Sequence, residues 1–82
     1  MIKVRALGVA KRFMEDSQEI DIEEGASVGE LLRLLPEELN EMATRKELNI
    51  IVGGADISAK EGLATRLHDG DEVIVFPFAH GG

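Results

Sequence analysis

No cysteine occurs among the 82 residues, so disulfides, thiolate metal sites and thiol nucleophiles are all excluded. Packing alone must hold the fold together. No apolar run approaches the ~20 residues that a membrane-spanning helix needs. The opening Met1-Ile2-Lys3-Val4-Arg5 starts a strand pattern at once, where a signal peptide would show an apolar core. Basic residues are scarce: 9 Lys and Arg stand against 16 Asp and Glu, a formal net charge of −7. That balance disfavours nucleic acid, whose phosphates demand clustered Lys and Arg. The expectation is a cytoplasmic chain with neither a membrane nor a nucleic-acid partner. An acidic surface favours a basic protein partner by speeding encounter; keeping the protein soluble is the plainer use of the same charge. Repeats, linkers and low-complexity segments are absent as well.

What is present fits one small domain. A chain of 82 residues has no room for a second core, and at this size folding buries only about 60–65% of the unfolded surface. Ile2 to Leu7 alternates with period two, which predicts a strand with Ile2, Val4 and Ala6 inward and Lys3, Arg5 and Leu7 outward. Val9 to Asp16 is a polar connection with one helical turn at most, anchored by Phe13. Gln18 to Glu23 alternates again, with Ile20 and Ile22 inward, and is expected to pair antiparallel with the first strand. Ser27 and Glu30 have the spacing of a capping box. Val28, Leu31, Leu32 and Leu35 then give one apolar stripe at helical spacing.

Pro36 ends that helix, because the residue before proline is pushed out of the α region. It also opens a second, shorter helix through Leu39 and Met42, acidic at its start and basic at its end as the helix dipole prefers. Leu48 to Val52 is strand-like and is stopped by Gly53-Gly54; Ala55 to Ala59 allows a further short strand. Leu63 and Leu67 are expected to plug the core from an irregular return. Asp69-Gly70-Asp71 reads as a turn and Val73 to Phe78 as the last strand. The order β-β-α-β-β is an α+β pattern, one sheet wrapped over one main helix. The domain is expected over residues 1–78, with 79–82 a flexible C-terminal tail.

Several groups invite chemistry and do not support it. His80 stands alone near the last residue and is read as incidental; His68 precedes a turn with no visible partner. Asp69 and Asp71 flank a glycine as in a calcium loop, but the remaining ligands are missing, so no metal is expected. Gly53-Gly54 lacks the following Lys and Ser/Thr of a phosphate loop. Six acids and no base fill Glu15 to Glu24, most simply a solvated edge.

The last sixteen residues carry more. Leu67-His68-Asp69-Gly70-Asp71-Glu72-Val73, then a strand, then Phe76-Pro77, then Gly81-Gly82, form an ordered series far more specific than any of its parts. Two glycines in a row have no Cβ and can enter a slot too narrow for side chains. With Met1-Ile2-Lys3-Val4 at the start, this layout resembles the β-grasp, ubiquitin-like sulfur-carrier family, and within it most nearly the small subunit of molybdopterin synthase. The chain departs from that pattern at Gly53-Gly54, where an asparagine is common, and in a long 55–66 segment. His80 also stands where a small residue is frequent.

The resemblance implies a mixed β-grasp sheet and a protein with no bound cofactor. An ATP-using, ubiquitin-activating-like enzyme would adenylate the carboxylate of Gly82. Sulfur from a persulfide would displace AMP to leave a thiocarboxylate, with Gly81 as the spacer that lets the tail thread. The partner implied is the large catalytic subunit of molybdopterin synthase, the small one donating sulfur without catalysing. Two alternatives share this activation: a modifier joined to lysines through Gly82, and a sulfur carrier for thiamine or tRNA thiolation. In a β-grasp sheet the first and last strands pair, which groups Leu7, Ile74, Phe76 and Phe78 as an apolar docking patch beside the tail. Pro77 is expected to mark where pairing ends. The rival reading folds Phe76 or Phe78 back over a helix end.

Overall fold

Hydrophobic alternation decides the sheet. In the computed structural model, which describes residues 1–78, β1 (Ile2–Ala6) buries alternate residues Ile2, Val4 and Ala6. β2 (Ser17–Ile20) pairs antiparallel with it, Ile2 opposite Ile20. β3 (Leu48–Val52) buries Leu48, Ile50 and Val52, and β5 (Glu72–Pro77) buries Val73 and Val75. β5 lies between β1, to which it is parallel, and β3, to which it is antiparallel. A two-residue β4 (Ala55–Asp56) completes the order β2-β1-β5-β3-β4. The mixed β-grasp sheet expected from the sequence is therefore the observed one. β3 and β4 are joined by Gly53-Gly54 with φ of 58° and 83°, both positive, as a two-residue hairpin turn of type I′ requires.

Two helices cover the inner face. α1 (Val28–Leu32) starts where Ser27 Oγ accepts the Glu30 N–H at 3.1 Å, the predicted cap. Its α-helical run is only five residues, continued by tighter bonds from the Leu34 and Leu35 N–H groups to the Leu31 and Leu32 carbonyls. α2 (Glu37–Thr44) is the longer α-helix, although the sequence pointed to a shorter one. The difference arises in the first helix, whose last turn tightens to 3-10 bonds after Leu32, ahead of Pro36, and so shortens its α-helical run. Val28, Leu31, Leu32, Leu35 and Leu39 meet the sheet in a single core, with Phe13, Ile22 and Met42 packed at its margin. Ile22 lies beyond the end of β2, so it reaches the core without strand pairing.

The long return from β4 contains short 3-10 turns at Ile57–Ala59 and Gly62–Ala64. Leu67 plugs the core as expected, fully buried, but Leu63 does not: it is 46% exposed. The reason is the close stacking of the Gly62–Ala64 turn on α1. The Leu63 carbonyl and Cβ lie 3.5 and 3.7 Å from where a Cβ on Gly29 would sit, so the turn packs on α1 through its backbone and the base of this side chain, while the rest of the side chain stays outside. Hydrogen bonds from the Val28 N–H to the Thr65 carbonyl (2.9 Å) and from the Leu67 N–H to the Ala26 carbonyl (2.7 Å) hold the return in place.

The end of α2 stores strain. The Lys46 N–H bonds the Ala43 carbonyl and the Glu47 N–H bonds the Met42 carbonyl, the paired bonds of a Schellman motif. That motif places Lys46 at φ 60°, a left-handed conformation that costs an L-residue about 1–2 kcal/mol. Lys46→Gly is therefore expected to stabilise the fold by about 1 kcal/mol after the entropy that glycine adds to the unfolded chain. Thermal unfolding should register a rise of about 5 °C; a fall would show that the Lys46 side chain contributes more than its backbone costs.

Candidate functional site

β5 sets the site because its outward residues lie in the middle of the sheet. Ile74 stands between Arg5 of β1 and Ile51 of β3, and Phe76 opposite Asn49. Leu7 follows β1 and donates its N–H to the Val75 carbonyl at 3.0 Å, which sets it beside Phe76. Leu7 is 37% exposed, while Ile74, Phe76 and Ile51 are half-buried. The outer face thus brings Leu7, Ile74 and Phe76 together as the alternation predicted. It adds Ile51, which the sequence reading missed. The signal was there: Leu48, Ile50 and Val52 take the inward phase of β3, so an isoleucine between them faces outward. Lys3 and Arg5 border this area, with nitrogens 4.0 and 3.9 Å from the Glu72 carboxylate. Exposed pairs of this kind add little stability; they give the rim alternating charge.

Pro77 ends one ladder and leaves the other running. Lys3 and Leu7 donate to the carbonyls of Asp71 and Val75, so the next donor owed to β1 would be the N–H of residue 77. Proline has none, and the Leu7 carbonyl accepts the Ala10 N–H at 3.2 Å instead. On the β3 side pairing continues: Pro77 lies opposite Leu48, and the Phe78 N–H bonds the Glu47 carbonyl at 3.0 Å. The expectation that Pro77 marks the end of pairing holds for β1 and is corrected for β3. Phe78, 47% exposed, stands at the mouth of a groove beside β3 together with Leu63 and Lys46. Gly81, Gly82 and His80 lie outside the described residues.

The other end of β5 carries the polar contacts. His68 was read as partnerless, but its Nδ1 lies 2.8 Å from Glu24 Oε2, a partner 44 positions away that local sequence cannot reveal. Glu24 also accepts the Asp69 N–H at 3.1 Å, and Asp71 accepts the His68 N–H at 2.8 Å. The Asp69 N–H, with the His68 ring beside it, holds the Glu24 carboxyl below its ordinary value. The Met1 amine pairs with Asp69. All of this lies before Glu72, whereas Phe78 follows Pro77 at the opposite end of a six-residue strand, about 20 Å away. Among the described residues no helix is long and apolar enough to cross a membrane.

Comparison with known proteins gives a consistent result. Residues 4–82 match the ThiS family. The small archaeal modifier protein 3 of Haloferax volcanii is 35% identical over 69 residues, 74% of this chain and 75% of that protein. A Haloferax volcanii protein solved in solution superposes with a TM-score of 0.79 at 29% identity, covering 99% of this chain and 85% of that one. A chain from the Helicobacter pylori complex of subunits 1 and 2 of molybdopterin-converting factor superposes with a TM-score of 0.65 at 25% identity, covering 99% and 97%.

The Glu24 contacts give a pH dependence. Since the folded carboxyl is lowered, its contribution to stability is present above the ordinary value of 4.5 and is lost as pH falls through the lowered one. Glu24→Gln should remove this part of the acid limb in melts run from neutral to strongly acidic pH. An unchanged acid limb would mean that the contacts contribute nothing in solution.

Proposed function

This chain belongs to the ThiS family of ubiquitin-like β-grasp sulfur carriers, and from that premise we propose that Gly82 is the atom-bearing end of a sulfur carrier that serves as the small subunit of molybdopterin synthase. The observation that carries this reading is the placement of β5: the central strand ends at Pro77, shortly before the diglycine in the sequence, and groups Leu7, Ile51, Ile74 and Phe76 on the outer face of the sheet.

The chemistry follows from the carboxylate. A free carboxylate resists nucleophiles, since its leaving group would be oxide. Attack of a Gly82 oxygen on the α-phosphorus of ATP expels pyrophosphate and makes AMP the leaving group. The outer sulfur of a persulfide then displaces AMP to give an acyl disulfide. A thiol that attacks the donor-side sulfur breaks that S–S bond, leaving a disulfide on the donor and a thiocarboxylate on the chain that is ionised at neutral pH and soft enough to attack carbon. This chain brings no acid or base to these steps. Its own contribution is to dock and to deliver: the outer apolar face seats on an adenylating enzyme, and afterwards on a large synthase subunit, while Gly81 lets the end thread. The Helicobacter pylori complex of two converting-factor subunits supports the second docking.

One observation favours a second reading. The 35% identical relative is named a modifier protein, and the same activated Gly82 would react with a lysine amine to give an isopeptide. The two outcomes separate at the acceptor, not at the carrier.

Intact mass after incubation with ATP, a persulfide donor and an activating enzyme should show sulfur replacing oxygen on the chain; neither adenylate nor thiocarboxylate would defeat the proposal. Diglycine remnants on lysines of other proteins would favour the modifier. Phe76→Ala should weaken docking to the activating enzyme by about 2 kcal/mol, roughly 30-fold, with circular dichroism unchanged. Loss of the fold would instead assign Phe76 to the core.

A further inference from the structure

Asp69-Gly70 is the one Asp–Gly step in the chain, and no Asn–Gly occurs. Such a step carries its own reaction. The glycine amide nitrogen can attack the side-chain carboxyl of the aspartate before it, because glycine has no Cβ to obstruct the approach. Water reaches the place freely, since the Asp69 side chain is 73% exposed.

The fold opposes that attack at three points. The Asp71 N–H bonds the His68 carbonyl at 2.9 Å and closes a four-residue turn. In it Gly70 takes φ 89° and Asp69 a negative φ, which makes the turn type II. Such a turn sets ψ of Asp69 to about 120°, pointing the Gly70 nitrogen away from the Asp69 Cβ, so the peptide must rotate before ring closure. The nucleophile is also occupied: the Gly70 N–H is donated to the Met1 carbonyl at 2.9 Å. The group to be attacked is anchored as well, because the Met1 amine pairs with Asp69 Oδ1. One residue therefore holds both reacting groups. Glu24 and Asp71 brace the turn from its sides by accepting the Asp69 and His68 N–H groups at 3.1 and 2.8 Å.

We propose that Asp69-Gly70 is a masked isoaspartate site, closed by the hold of Met1 on the turn and opened when that hold is released. The reaction needs only water. Attack of the Gly70 nitrogen on the protonated Asp69 carboxyl forms the N–Cγ bond; the amide hydrogen and the carboxyl hydroxyl leave as water, giving a five-membered imide. Water then opens the ring. Cleavage at Cγ restores aspartate, whereas cleavage at the backbone carbonyl leaves the chain running through Cγ, with the α-carboxylate free. Composition is unchanged and nothing is oxidised or reduced. The isoaspartyl product adds one carbon to the backbone just before β5, where the Lys3 N–H bonds the Asp71 carbonyl at 3.0 Å. Isomerisation would therefore detach the entry of the central strand from β1. This chemistry is independent of the chemistry proposed for Gly82.

The test follows the full chain at neutral pH and physiological temperature. Isoaspartate at position 69 is read by peptide mapping, with an isoaspartate-specific carboxyl methyltransferase as the probe. It should form at least about tenfold more slowly in the folded chain than in the same chain unfolded in urea, since closure waits on local opening. Acetylation confined to the Met1 amine should speed its formation about threefold, the worth of one exposed pair, and quicken hydrogen exchange of the Gly70 amide, with circular dichroism unchanged. Asp69→Glu, which keeps a carboxylate for Met1, should abolish the product because the larger ring closes poorly. The isomerised chain should exchange its Lys3 amide faster than the parent. Equal rates in folded and unfolded chain, or a rate untouched by acetylation, would overturn the hold assigned to Met1. No isoaspartate at position 69 in the unfolded chain would overturn the site itself.

Discussion

The structure depends on one arrangement: the last strand among the described residues is the middle strand of the sheet. β5 bonds to β1 on one side and β3 on the other, so the two halves of the sheet are joined only through residues 72–77. Val73 and Val75 stand at the centre of the core, fully buried, against Val4 and Ala6 across one ladder and Ile50 and Val52 across the other. Pairings between the two ends of a chain close the longest loops and are slow to form. Neither half has a complete core before β5 arrives. The same fact gives the outer face its value, because a side chain on a central strand is flanked by neighbours and held in place.

Strand positions and faces were legible because period two leaves little freedom: in β1, β3 and β5 every second residue is aliphatic, and a one-residue slip would invert them all. The capping serine was legible for a similar reason, its partner being three residues away. What escaped was whatever depends on distant or aperiodic neighbours. Leu63 looked like a core plug, since nothing in an irregular segment tells an apolar residue which way it points; only the approach of its turn to Gly29 turns it out. His68 looked partnerless because Glu24 is 44 positions distant. The relative helix lengths depended on the last turn of α1 tightening to 3-10 bonds before Pro36, which apolar spacing does not show.

The site divides the same way. Leu7, Ile74 and Phe76 could be grouped from alternation and the pairing of first and last strands. The groove beside β3 could not, since it is bounded by a helix end, a truncated strand and two 3-10 turns, none with a periodic signature. Phe78 belongs to both stories. Alternation placed it with Phe76, and the continued bond to Glu47 brings it to the groove mouth. Six of the 16 acids lie within residues 15–24, at the β2 edge and the loops beside it, away from the apolar centre of the sheet, so that charge can guide an encounter without being buried by it.

Pro77 has a consequence beyond closing a ladder. A strand can slip by two residues and still present the same face, and a slip of β5 that lengthened its overlap with β1 would bring Pro77 opposite Ala6, where its nitrogen would be the donor owed to the Arg5 carbonyl. The Arg5 carbonyl would then lose its donor, at a cost of about 1–3 kcal/mol for an unsatisfied buried group. The proline therefore works as a gauge stop. It fixes how far the strand is drawn through the sheet, and with it the length of chain left over beyond Phe78. Under the proposed function, in which the end of the chain is delivered to a partner enzyme, a constant number of residues beyond the last pairing matters as much as the chemistry carried on them.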